Sequence, residues 1–461
     1  MSAYPEAADG SLAGQQPRVV RADWVLPMTA GRSEQDPHAD VLVDGAVAIS
    51  GGLVVDVGPA GEVIGRMPGA PVEELAGHAL LPGFVNAHTH LAMTMFRGVA
   101  DDRTLEDFLG TVLPLEGRAL NARRVGIASR GAMVESHLAG VTTALDMYFF
   151  CDATLEAAEA LGFRVLTGPV FLDDPVTEMP GATRGEVLDR ARSWLAGHPV
   201  SPGWVPSLAP HSTYLVSPDL LGEVAELSGA AGAVVQCTHR RPPPRSPRSR
   251  AGTGSAPSSC WRSRVSWDPA AWWPTACTST APRWTCSRSG ASVAHCPASN
   301  LKLGSGVAPV ADLLAAGVNV ALGTDGPASS NDLDVLGAAR LAALVHKTAA
   351  PGGPDPRAVP ARTAIEMATC NGARALGLEG QLGVPAPGAS ADLVAIDLDR
   401  PHTQPVNDVF SALVYAAGRG DVTHVWSGGT AVVVEGRHTR ADESEVSASL
   451  VALAAEIDGD R

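Results

Sequence analysis

Three residues have the types and spacing to hold a metal ion. Asn86-Ala87-His88-Thr89-His90 closes an apolar run that begins LLPGFVNA. In a strand, side chains two apart point the same way, so the imidazoles of His88 and His90 share a face. At the C-terminal mouth of a barrel strand, two neutral imidazoles can share one divalent cation. Taken alone, the pair reads equally well as two turn or surface histidines. Asp325, in VNVALGTDGPASSN, directly follows another apolar run and precedes a Gly-Pro turn. A carboxylate placed there is either a helix cap or a ligand at the mouth. The ligand reading gains from chain order: Asp325 ends the last strand-like run, and in a closed barrel the last strand neighbours the first. His88, His90 and Asp325 then converge.

The elements that must position them come in two kinds. Short apolar runs (LLPGFVNA, GVTTALDM, FRVLTGPV, WVPSLAP, GAVVQC, ASVAHC and VNVALGT) alternate with helix-like segments such as ARRVGIASRGAMVESHLA and DATLEAAEALG. This alternation predicts a parallel α/β sheet. Seven strands are countable, with a wide gap after the fifth. A (β/α)8 TIM-type barrel with its sixth strand region disrupted fits that count, and a doubly wound open sheet is the alternative. Before and after this middle, β-type runs broken by Gly and Asp predict a small β-sandwich formed from both termini. The resulting organisation is a mobile tail over 1–17, sandwich over 18–77 and 384–440, barrel over 78–383 with an irregular 238–288, and a C-terminal helix over 441–461.

Composition narrows the class. The 461 residues carry 49 acidic and 34 basic side chains, a net charge of −15, which argues against a nucleic-acid or anionic-membrane binder. No apolar run reaches the ~18 residues of a membrane span. The N-terminus lacks the basic-then-apolar order of a secretory signal, and seven irregularly spaced cysteines form no disulfide framework. A cytoplasmic protein is expected.

The motifs together are more specific than the histidine pair. LLPGFVNAHTHLAMTMFRGVADD, VLPLEGR, GVTTALDMYF, APHSTYLVS, VAHCPASNLKLGSGVAPV, LGTDGPASSN and ADLVAIDLD span roughly residues 40 to 437. In that order they resemble the amidohydrolase superfamily, and within it the 5'-methylthioadenosine/S-adenosylhomocysteine deaminase branch. The resemblance implies a hydrolytic deaminase of an adenosine-type nucleoside, a small heterocyclic substrate, and one divalent metal: zinc first, iron or manganese otherwise. It makes His88 and His90 metal ligands, and Asp325 a ligand that also takes a proton from the attacking water. It makes Glu116 the group that holds the ribose hydroxyls and His211 a substrate contact, and it gives His295 a supporting role. It leaves room for a homo-oligomer.

The chain departs from the family pattern in three places. A metal-binding His three residues before a proton-shuttling Glu is expected after strand five, where Cys237-Thr238-His239-Arg240-Arg241-Pro242 stands instead. A His after strand six is also missing, and Gly168 replaces a substrate-binding Arg after strand three. His239 is one residue past the required position, which turns its side chain to the other face.

Residues 238–288 account for the first two departures. They hold nine of the 34 basic residues, one of the 49 acidic ones (Asp268) and five of the nine tryptophans, with no period of 2 or 3.6. Tryptophan has a single codon, so Trp272-Trp273-Pro274 read one nucleotide earlier gives Val-Ala, and the following codons allow His-Gly-Val-His-Leu. The same shift over Gln236 to Pro242 allows Val-His-Ala-Ser-Glu-Thr. Both missing motifs emerge from one shared alternative frame, so the segment reads as translated out of phase. The alternative is a genuine basic, disordered insertion that binds an acidic partner.

Taken literally, the chain is expected to form its fifth strand only as far as about Gln236, to leave 240–288 irregular, and to be inactive. The competing functional readings are an aminohydrolase or chlorohydrolase acting on another heterocycle, guanine-like or triazine, and a non-catalytic protein that kept the pocket and lost the chemistry.

Overall fold

The computed structural model describes residues 16–28, 40–175, 177–213, 215–238, 291–349 and 353–459. The terminal strands are β1 (Arg18–Val25), β2 (Leu42–Ser50), β3 (Leu53–Pro59) and β4 (Val72–Pro82). The middle contributes β5 (Phe84–Thr89), β6 (Val141–Asp146), β7 (Arg164–Leu166), β8 (Val170–Phe171), β9 (Ser207–Pro210), β10 (Val234–Val235), β11 (Ser292–His295) and β12 (Asn319–Leu322). After them come β13 (Leu393–Asp397), β14 (Val422–Ser427), β15 (Thr430–Val434) and β16 (Arg437–His438).

The middle strands pair in parallel, in the orders β5-β6-β7, β8-β9-β10 and β11-β12. Every residue of β5 and of β6 is buried, as parallel strands covered on both faces require. β7 and β8 are successive parts of one run, FRVLTGPV, interrupted at Gly168, where the backbone passes so near Ser207 that a Cβ would lie 1.7 Å from its carbonyl oxygen. A parallel bridge between Thr89 and Asp325 joins the end of β12 back to β5. Val85, Leu145, Leu166, Val234, Ala294 and Ala321, from six of these strands, share one apolar cluster. All seven expected runs therefore hold strand. Among the described residues no strand lies between β10 and β11, and the expectation for 240–288 falls outside them, as does most of the tail expected over 1–17. The strand of the fifth run ends at Val235, close to the expected Gln236, and an isolated parallel bridge beyond it links Ser212 to Thr238.

The helices start and stop where the sequence provides caps. Asn121 accepts from the Arg124 amide ahead of helix Ala122–Leu138, and Thr183 forms a capping box with Glu186. Gly162 closes helix Cys151–Leu161 in the left-handed conformation.

The β-rich ends meet in one hydrogen-bonded sheet of eight strands, in the order β16-β15-β14-β13-β4-β1-β2-β3. The strands expected to form the sandwich are joined by hydrogen bonds into one continuous sheet, and Val47, Ile49 and Val54 from one end of it share an apolar cluster with Leu393, Ala395 and Trp426 from the other. The eleven-residue β4 pairs in parallel with β1 on one side and antiparallel with β13 on the other, so strands from both termini extend a single ladder. A final helix, Glu443–Gly459, buries Leu453 and Ile457 in a cluster with Ala92, Phe96 and Tyr148 beside the histidine motif. Among the described residues no helix is long and apolar enough to cross a membrane.

Candidate metal centre

β5 ends at Thr89, so His88 lies on the strand and His90 just beyond it. Their rings stand edge to face with centroids 5.0 Å apart. Asp325 adopts a left-handed backbone, φ +60°, a conformation that aspartate tolerates better than most residues. Its amide donates to the His88 carbonyl at 3.1 Å, and the Thr89 and Thr324 hydroxyls donate to its own carbonyl at 3.1 and 3.0 Å. Asn86 and Thr324 exchange two further hydrogen bonds, of 2.7 and 3.0 Å. The β5–β12 seam thus sets all three side chains.

The side-chain geometry fits a cation. His88 Nε2 and His90 Nε2 lie 3.7 and 3.1 Å from the same oxygen, Asp325 Oδ1. His90 Nδ1 contacts the Met147 carbonyl at 2.6 Å, and a carbonyl can only accept, so the proton of a neutral His90 sits on Nδ1. Its Nε2 lone pair then faces a carboxylate, an arrangement that calls for a positive charge between them. Burial works against charging His90, yet the hydrogen bond and charge of Asp325 lift its pKa to about 9. Burial likewise opposes ionising Asp325, but His90 and His88 hold its carboxyl well below the usual range. His88, desolvated and next to His90, drops to about 4. One ligand atom from each of the three residues lies within 4.8 Å of the others, the spacing a shared divalent ion needs.

Asp325 Oδ2 is occupied differently: the hydroxyls of Ser299 and Ser329 each donate to it at 2.6 Å. Oδ1 is therefore the oxygen left to the histidines and to a ligand.

Glu116 is buried near the end of helix Leu105–Ala119, where Tyr148 donates to its Oε1 at 2.6 Å. Burial raises its pKa to about 7. The Tyr148 ring lies 6.2 Å from that of His90, so it bridges the glutamate to the metal centre. His211, just after β9, has a buried Nδ1 with no hydrogen-bond partner. Burial and then the charges of His90 and His88 push its pKa down to about 4. His295 turns away to pair with His346, Nε2 to Nε2 at 3.1 Å.

Several contributors were not singled out from the sequence. Ser299, Ser329 and Tyr148 lie inside the quoted motifs CPASN, GPASS and LDMYF, which is the only signal they give. Asp146, whose Oδ1 accepts from the Leu91 amide at 2.8 Å, lies in the LDMYF motif as well, and Gln236 lies in none of the family motifs.

The sequence pattern of the Amidohydrolase family matches residues 79–238 and 273–432. The chain belongs to the amidohydrolase family. It is 34% identical over 448 residues to a 5-methylthioadenosine/S-adenosylhomocysteine deaminase of Thermodesulfovibrio yellowstonii, covering 93% of this chain and 96% of the relative. It is 36% identical over 415 residues to the enzyme of the same name from Moorella thermoacetica, covering 89% and 94%. Among solved structures, an adenosine deaminase from Xanthomonas campestris with bound zinc is 31% identical with a TM-score of 0.81, covering 96% of this chain and 98% of that one. A zinc complex of atrazine chlorohydrolase from Arthrobacter aurescens is 26% identical with a TM-score of 0.80, covering 95% and 99%. The chain is a hydrolase acting on carbon–nitrogen bonds, and a divalent metal suits the three converging residues. The family match leaves out 239–272 and resumes inside the segment expected to be out of phase.

Proposed function

We propose that this amidohydrolase is a metal-dependent hydrolytic deaminase of an adenosine-type nucleoside, of the methylthioadenosine or adenosylhomocysteine kind. The observation that carries the reading is the approach of two imidazole nitrogens to one carboxylate oxygen, beside a buried glutamate held by a tyrosine. The deaminase names of the relatives support the substrate class. Zinc is the ion proposed, since imidazole and carboxylate donors suit it and two similar structures hold it. His88, His90 and Asp325 hold it in this reading. When bound, such an ion supplies the Lewis acidity that makes water a nucleophile near neutral pH.

The chain's own residues do the rest. Asp325 takes the proton of the attacking water, with its carboxylate held in place by the two hydroxyls that donate to Oδ2. Glu116 accepts from the ribose hydroxyls with the oxygen that Tyr148 leaves free, and His211 offers its unpaired Nδ1 to the substrate. A general acid–base step of this kind contributes about 10²–10⁴ in rate.

The intact architecture is read as a closed eight-stranded barrel whose sixth strand and two remaining catalytic motifs are encoded in the alternative frame of 238–288. The break in the family match over 239–272 supports this for that stretch. The four described cysteines, Cys151, Cys237, Cys296 and Cys370, are free, which suits a cytoplasmic enzyme.

A second reading, hydrolysis of a triazine, is favoured by the similarity to a triazine hydrolase variant, 25% identical with a TM-score of 0.83. The deciding experiment measures ammonia release from adenosine, methylthioadenosine, adenosylhomocysteine, guanine and triazines, using the chain as written and a chain with the alternative frame restored. The expected result is no turnover by the first and deamination of adenosine derivatives by the second, with zinc stoichiometry rising alongside. Turnover of triazines alone moves the assignment to the second reading. Tight binding of adenosine analogues without ammonia release, from a confirmed gene sequence, marks a non-catalytic pocket protein.

A further inference from the structure

Gln236 lies just past β10 with no exposed surface, and its side chain reaches across the interior to β5, β6 and β9. Its Nε2 donates to the Asp146 carbonyl at 2.6 Å and approaches Ser207 Oγ at 3.4 Å, while its Oε1 lies 3.3 Å from His88 Nδ1. Its backbone amide donates to the Leu208 carbonyl at 3.1 Å, which keeps the residue in the sheet.

These contacts leave the amide one orientation. The Asp146 carbonyl is an acceptor only, so the group facing it must be the NH2 of Gln236. The oxygen therefore faces His88, and an oxygen opposite Nδ1 demands a proton there. With Nδ1 protonated, Nε2 of neutral His88 carries the lone pair, and Nε2 is the atom aimed at Asp325 Oδ1. His90 is fixed the same way by the Met147 carbonyl. The two histidines thus use different devices for one purpose: a backbone carbonyl for His90, and a side chain from a distant strand for His88.

We propose that Gln236 is a positioning residue for the metal centre, holding His88 in the Nδ1–H tautomer with its ring turned so that Nε2 faces the ion. This rests on the metal-centre reading and adds a residue from the fifth strand to it. Outer partners of this kind, when removed, typically weaken metal affinity about 10–100-fold.

Two substitutions separate this role from mere packing. Gln236→Met and, when ionised, Gln236→Glu both lose the donor to the Asp146 carbonyl, but only Gln236→Met loses the acceptor for His88 Nδ1–H. Zinc affinity is measured by competition with a chromophoric chelator, alongside thermal unfolding of the metal-free proteins. The expected result is a loss of about 10–100-fold in Gln236→Met and affinity within a few-fold of wild type or tighter in Gln236→Glu. Nitrogen-15 NMR of the zinc-loaded wild type should show His88 protonated at Nδ1, a readout that needs no variant to fold. Equal losses in both variants, or zinc on Nδ1 of His88, would overturn the inference while leaving the metal centre in place. No zinc uptake either by the chain as written or by the chain with the alternative frame restored would remove the metal-centre reading itself, and this inference with it.

Discussion

The Tyr148 hydroxyl donates to Glu116 Oε1 at 2.6 Å with both residues buried, joining the strand that ends at Asp146 to the helix that runs Leu105–Ala119. This one bond is the protein-side half of the proposed ribose subsite. It also stabilises a carboxylate that burial otherwise drives towards its neutral form.

The pH dependence of Glu116 follows with a definite sign. Its pKa is raised by burial from 4.5 to about 7 in the folded chain, so the folded state binds more protons between those values. Stability from this group is greatest below pH 4.5 and falls as pH rises towards 7. Glu116→Gln is therefore expected to stabilise the protein at pH 8 by about 1–3 kcal/mol, seen in urea titrations, and to weaken binding of adenosine more than of 2',3'-dideoxyadenosine. Equal weakening for the two ligands would count against the ribose assignment.

Buried histidines set an opposite trend at acid pH. Burial pushes His295 down to about 3, His346 and His438 to about 4, and His137 well below its ordinary value. The unfolded chain thus takes up more protons than the folded one as pH falls from about 6.5 to 4, and stability drops across that window. Thermal unfolding at pH 7.5, 6 and 5 should show this loss, and His346→Gln should make the curve shallower. A melting temperature independent of pH over this range would refute it.

Gly323 permits the approach of the last strand to the first. A Cβ there would sit 2.8 Å from the His88 carbonyl oxygen and 2.9 Å from Cys296 Sγ. The carbonyl belongs to rigid backbone, so Gly323→Ala is expected to cost about 1–3 kcal/mol of stability and to lower zinc affinity at the same time. Calorimetry with and without zinc tests both; an unaltered affinity would mean that the seam does not govern the site.

Arg164 and Asp392 form a buried ion pair, their side chains 1% and 3% exposed, that ties β7 to the start of β13. Asp392 also accepts from the Gly428 amide at 2.6 Å. Removing the acid alone strands a guanidinium in the interior, so Asp392→Ala should lose about 3–5 kcal/mol, while the double change Arg164→Met with Asp392→Leu should lose much less. Chemical denaturation of the three proteins decides the comparison.

The sequence was most informative where chemistry and local pattern coincide. The runs carrying His88, Asp146 and Asp325 alternate with helix-like segments, so a parallel sheet could be read from them, and the i, i+2 spacing already aligned the two imidazoles. What side chains do across the interior left no such trace. Nothing local marks Gln236 as a partner of His88, or Ser299 and Ser329 as the donors that occupy one oxygen of Asp325. That both termini build one β module was legible in their matching strand runs, but the β4–β13 register within their ladder was hidden, because it depends on pairing between distant segments. His295, to which the resemblance gave a supporting role, ends β11, and its pairing with His346 on a helix was likewise not legible.

That ladder has a consequence for biogenesis. β4 is synthesised early, and its partner β13 leaves the ribosome only after the whole catalytic region has been made. Throughout translation the nascent chain carries an eleven-residue strand with one bare edge, the kind of surface that recruits a chaperone or a neighbouring chain. Vectorial folding can complete β1 to β3 on one side of β4, but the other side stays open until the last stretch emerges. An interruption of translation upstream of Leu393 therefore yields a fragment with a permanently unpaired template, whatever the state of its metal centre.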